Sequence, residues 1–115
     1  PGTLRGILVL GNRGARLIRS ALLAPFDDLG GATLSIRNDG GTDMVPFWGV
    51  GLPGFNFLQD PIDYETRTHH TNLDIADYLL EDDLKQAAVV MASVVYHTAM
   101  RGDKIPRVAL PKARK

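Results

Sequence analysis

The stretch TLRGILVLGN, residues 3–12, decides what kind of fold this chain forms. From Gly6 to Leu10 it is almost unbroken apolar sequence, closed by a Gly-Asn pair that reads as a turn. A strand with apolar side chains on both faces needs cover on both, which is the situation of strands in α/β sheets. The next segment agrees. RGARLIRSALLAPFDDLGG (13–31) sets Leu17, Ile18, Ala21 and Leu22 at helical spacing, with Arg13, Arg16 and Arg19 toward another face. Pro25 kinks or ends this helix and Gly30–Gly31 stop it.

Further along, ATLSIRN (32–38) alternates as a second strand, and NDGGTD (38–43) is a cluster of turn formers. MVPFWGVGLPG (44–54) predicts one or two helical turns before Gly49 and Gly51, with Met44 and Trp48 as core filling. GFNFLQD (54–60) reads as a third strand. Residues 60–80 read as a long ordered loop, and loops of that length in a compact domain usually carry function or are disordered. Residues 82–101 predict the longest helix. Leu84, Ala87, Ala88, Met91, Val94, Val95 and Thr98 trace its apolar face, Asp82 or Asp83 is the N-cap, Gln86 completes a capping box, and Gly102 stops it. The tail IPRVALPKARK (105–115) is rich in Pro and basic residues and is expected to fray. The order is β-α-β-short α-β-loop-α, an α/β alternation. Three strands and two helices are few for a doubly wound domain, so the expectation is part of a larger sheet.

Composition narrows the partners. The 115 residues fit one domain or a piece of one. With 44% apolar and 23% charged residues, a core can form. Thirteen basic and 13 acidic residues cancel, which argues against a general nucleic-acid binder. There is no cysteine, so disulfides and thiolate metal sites are excluded. The longest apolar run, AAVVMASVVY (87–96), is too short to span a bilayer, so no membrane partner is expected. The chain opens PGTL, without an initiator Met or signal peptide, as a processed chain or a fragment would.

Chemistry concentrates in DYETRTHHTNLDIAD (63–77), which holds His69 and His70, two of the three histidines. A neutral imidazole is the commonest metal ligand. Adjacent side chains on irregular backbone diverge, so one of the pair would ligate while the other lines a pocket or donates a hydrogen bond. The plainer reading is a solvated polar loop. Gly40 and Gly41 suggest unusual backbone or a close approach. Asp43 has two readings: N-cap of the helical turns that follow, or a carboxylate that orients a histidine ligand. Asp74 either caps a turn or holds the loop shut through backbone N–H groups. Arg67, near Tyr64, either grips a substrate carboxylate or pairs with Asp60, Asp63 or Glu65. His97 lies beside the apolar face of the long helix and reads as structural. No dinucleotide fingerprint, phosphate loop, nucleophile elbow or HExxH motif is present.

Three segments taken together, GGTDMVPFWGVGLPGF (40–55), QDPIDYETRTHHTNLD (59–74) and DDLKQAAVVMASVVYHTAMRGDKIPR (82–107), resemble the C-terminal part of an M28-family zinc exopeptidase of the bacterial aminopeptidase and carboxypeptidase Q-like type. The matching motifs are Thr42-Asp43, Gly51-Leu52-Pro53-Gly54 and His69-His70-Thr71-Asn72-Leu73-Asp74. Many members continue the first with His, where this chain has Met44.

The resemblance implies a mixed-sheet, phosphorylase/hydrolase-like α/β sandwich with helices on the sheet faces. Residues 1–102 would be the C-terminal portion of the catalytic domain and 103–115 a tail. It implies hydrolysis of terminal peptide bonds with two zinc ions, His70 as the last zinc ligand, and His69, Tyr64 and Arg67 at the substrate pocket. Asp43 and Asp74 would be supporting carboxylates. The general base and the remaining ligands would lie upstream, so the segment alone would be inactive and would pair with an N-terminal segment or self-associate. A periplasmic or extracellular location is implied too. The other reading is a non-catalytic binding or self-assembling module on such a scaffold.

Overall fold

The computed structural model describes residues 2–9, 14, 22–31, 33–37, 42–107 and 109–110. Leu4–Leu8 forms the central strand β1. Thr33–Ser35, strand β2, pairs with it in parallel, and Asn56–Gln59, strand β3, pairs antiparallel on the other side. The result is a small α/β fold around a three-stranded mixed sheet, ordered β2-β1-β3.

Both faces of β1 are covered, as its continuous apolar sequence requires. Leu4, Ile7 and Val9 join one cluster with Leu22, Leu23, Phe26 and three residues of the long helix. Leu8 joins a second cluster with Met44. In a regular strand Leu4 and Ile7 would point to opposite faces. An irregularity in the β1–β3 register between Leu4 and Gly6 inserts the residue that brings them to the same face. Glycine is required at position 6, because a Cβ there would lie 1.8 Å from the Thr33 carbonyl oxygen of β2.

Helix α1 runs Met44–Gly49 and packs Met44, with Val45 and Trp48, against Leu8 and Leu58. Helix α2 runs Glu81–Ala99 and covers the opposite face through Ala87, Val90 and Val94. Its buried stripe differs from the expected one: Leu84, Met91 and Val95 are exposed, and Val90 is fully buried. Ala87 and Val94 of the expected face are buried, and Val90 joins them in place of Leu84, Met91 and Val95.

The helix ends differ from expectation as well. Leu80 occupies the N-cap position without a side-chain hydrogen bond, Asp82 and Asp83 fall in the first turn, and Met100 is the C-cap, ahead of Gly102. Gln86 makes no capping box. Its Oε1 accepts from the Leu4 N–H at 2.7 Å, and its Nε2 donates to the carbonyls of Leu4 and Leu29. Thr3 Oγ1 donates to Asp83 Oδ1 at 2.8 Å, so the first turn of α2 is tied to the entry of β1.

Of the expected helix over 13–31, positions 15–21 lie outside the described residues, as do Arg13, Gly40, Gly41 and the end of the tail. Leu22 and Leu23 are buried, and Pro25 opens a short 3-10 turn, Ala24–Phe26.

Candidate functional site

The segment 60–80 is built from tight turns. Asp60 anchors its start: its Oδ2 accepts from Arg5 Nη2 at 2.6 Å and from Arg5 Nε at 2.9 Å. That hydrogen bond, with the charge attraction, holds the Asp60 carboxyl below its ordinary value. Tyr64–Thr68 is a single π-helical turn, in which the Thr68 and His69 N–H groups donate to the carbonyls of Asp63 and Tyr64, five residues back. Isolated π turns recur at functional sites because they displace side chains from the usual helical positions.

This turn brings three rings together. Tyr64 stacks on His69 with centroids 4.5 Å apart, and His69 meets His70 at 4.0 Å. His69 Nδ1 lies 3.8 Å from Glu65 Oε2. His70 has φ +57°, in the left-handed region that few non-glycine residues enter, Asn, Asp and His more often than the others. Its imidazole is exposed and has no hydrogen bond or ion pair among the described residues, so its nitrogens are free to bind. Ile62, at the start of the segment, has φ +42°, a more unusual conformation for a β-branched residue.

Two cavities flank Tyr64. One of about 230 Å³ is walled by Ile62, Asp63, Tyr64, Asp74, Tyr78 and Leu79, among others. The other, about 380 Å³, brings Thr42 of the Thr-Asp turn together with Asn56, Gln59, Tyr64 and Glu65. The Thr42 hydroxyl and Trp48 Nε1 are buried without a hydrogen-bond partner among the described residues.

The sequence candidates distribute as follows. Tyr64, His69 and His70 form one contiguous group, and Asp74 lines the smaller cavity with Tyr64. Among the described residues the Asp74 side chain caps no turn; its N–H donates to the Thr71 carbonyl. Asp43 occupies the N-cap position of α1 but makes no side-chain cap bond and bonds neither histidine. It lines a separate open groove with Phe47 and Phe55. Arg67 is exposed and forms no ion pair among the described residues; Arg5 takes Asp60 instead. His97 is exposed, edge-on to Tyr96. The sequence reading passed over Ile62, Tyr78 and Leu79 as cavity walls. A β-branched residue between the turn formers of Pro61-Ile62-Asp63 was the available signal.

A catalytic zinc needs about three protein ligands and an open position. Among the described residues no three His, Asp or Glu side chains are grouped to hold a metal ion. No described helix is long and apolar enough to cross a membrane. Comparison with protein-family models, with curated proteins and with solved structures finds no match to this chain.

Proposed function

We propose that this chain is the C-terminal part of a zinc exopeptidase of the M28 type, contributing His70 as one metal ligand and the 60–80 segment as a wall of the substrate pocket. The observation that carries the reading is the state of His70. His70 has left-handed backbone at the exit of a π turn, no side-chain hydrogen bond or ion pair among the described residues, and its ring 4.0 Å from that of His69, which stacks on Tyr64, a wall of the smaller cavity. Backbone strain of this kind costs about 1–3 kcal/mol and clusters at functional positions. The mixed sheet, with helices on both faces of β1, supports the sandwich expected of that family. The test is the full natural gene product containing this chain, wild type beside His70→Ala, assayed for zinc content and release of terminal residues. The expected result is loss of zinc together with at least a roughly hundredfold loss of activity, the upper end of what even an outer-shell partner is worth. Zinc and activity unchanged in His70→Ala would end the proposal.

A second reading, a self-assembling module, is favoured by one surface. Leu84, Met91 and Val95 form an exposed apolar stripe along α2, with Val95 65% exposed. Apolar stripes of this kind mark association surfaces when they are contiguous.

A further inference from the structure

We propose that the cavity of about 230 Å³ between Ile62, Tyr64, Asp74 and Tyr78 receives the side chain of a basic residue, lysine or arginine, at the end of a peptide. That a peptide carries this side chain rests on the exopeptidase reading above; the preference for a cation rests on the cavity itself.

The walls are mainly apolar: Ile62, Leu79 and the rings of Tyr64 and Tyr78. Among the described residues the charged groups in the wall are two carboxylates, Asp63 and Asp74, and no lysine or arginine lines it. Both carboxylates are poorly answered from within the chain. Asp74 has no side-chain hydrogen bond or ion pair among the described residues, and Asp63 has only a long 3.4 Å contact from the Thr66 hydroxyl. An apolar channel with unanswered anions fits a side chain that is apolar along its stem and cationic at its tip. Tyr64 and Tyr78 add aromatic wall, a surface that cations favour. A leucine side chain would fill the walls but strip water from two carboxylates without replacing it, and an acidic side chain would meet like charge. The volume lies below the roughly 300–1,000 Å³ of sites for whole small ligands and suits a single side chain.

The cavity is also placed to matter. Tyr64 is both its wall and the ring on which His69 stacks, and His69 in turn touches His70. The cavity is thus one ring removed from the histidine pair.

The experiment is an amide chemical-shift titration of this chain in EDTA, with n-butylammonium, n-butylguanidinium and neutral n-butanol as probes. The expected result is saturable shifts at residues 62–64, 74 and 78–79. The cations should bind about fivefold more tightly than butanol, the upper range for a partly exposed ion pair. Asp63→Asn and Asp74→Asn, made singly and together, should each narrow that preference, and the single variants serve if the double variant does not fold. Equal binding of butanol, shifts centred elsewhere, or an unchanged preference in the folded variants would overturn the proposal. The zinc test is independent of this one. Cation selectivity in a protein whose parent holds no zinc at His70 leaves the pocket standing and removes the exopeptidase reading. Zinc at His70 without cation selectivity removes the pocket alone.

Discussion

The side-chain amide of Gln86 meets the backbone of Leu4 as a neighbouring strand would, accepting from its N–H at 2.7 Å and donating to its carbonyl at 2.9 Å. The β1–β2 pairing begins only at Gly6↔Thr33, so a helix side chain answers the Leu4 backbone groups where β2 supplies no partner. It joins positions 82 residues apart.

Removing that amide leaves Leu4 N–H and C=O without partners in a half-buried setting. Gln86→Ala is expected to lower stability by about 2 kcal/mol, read as a reduced urea midpoint. Gln86→Glu keeps the acceptor and loses the donor, so it should fall between wild type and Gln86→Ala.

Val90 and Val95 are chemically identical residues on α2 with opposite surroundings, 0% and 65% exposed. Val90→Ala should cost about 2 kcal/mol through lost burial and the cavity left behind. Val95→Ala should stay within about 0.5 kcal/mol in thermal unfolding of the dilute chain. At high concentration the order changes: sedimentation should show association that Val95→Lys weakens.

Replacing His70 by glycine removes both the imidazole and the left-handed strain. His70→Gly is expected to stabilise the fold by about 1 kcal/mol while abolishing any zinc bound through this position. A destabilised His70→Gly would mean that the ring stack with His69 outweighs the strain.

The Arg5–Asp60 pair gives the acid side of the stability profile a definite sign. Asp60 titrates lower in the folded chain than in the unfolded one, because Arg5 hydrogen-bonds its charged form. Its contribution is therefore present above the ordinary carboxylate range, near pH 4, and is lost as pH falls through the lower folded value. Asp60→Asn should show a shallower stability loss over that interval. Both partners are about half exposed, so added salt should reduce the difference.

Much of the framework was legible in the residues. An apolar run with no polar alternation meant a strand covered on both sides, and Leu4–Leu8 is covered on both sides. The segments 44–54, 54–60 and 82–101 hold α1, β3 and α2 close to the expected positions. What escaped depends on contacts distant in sequence. Gln86 three residues after Asp83 imitates a capping signal, and nothing local reveals its partner on β1. On α2, Val90 is buried in place of Leu84, Met91 and Val95 by packing on the sheet, which no helical period encodes. At the candidate site, the two-histidine motif was visible, but the stack onto Tyr64 arises from a π turn that sequence spacing does not announce.

Trp48, the only tryptophan, sits in the small cluster formed by Leu8 and Met44, on the face of β1 away from α2. The molecule thus carries two optically separate reporters. Indole fluorescence follows the α1 side, while the far-ultraviolet dichroism is dominated by the 19 residues of α2. If the two signals melt together, the halves of the core share one cooperative transition. If the indole emission shifts first, the α1 side loosens while α2 still holds the strand, and the Thr42–Asp43 turn leading into α1 is the segment released earliest.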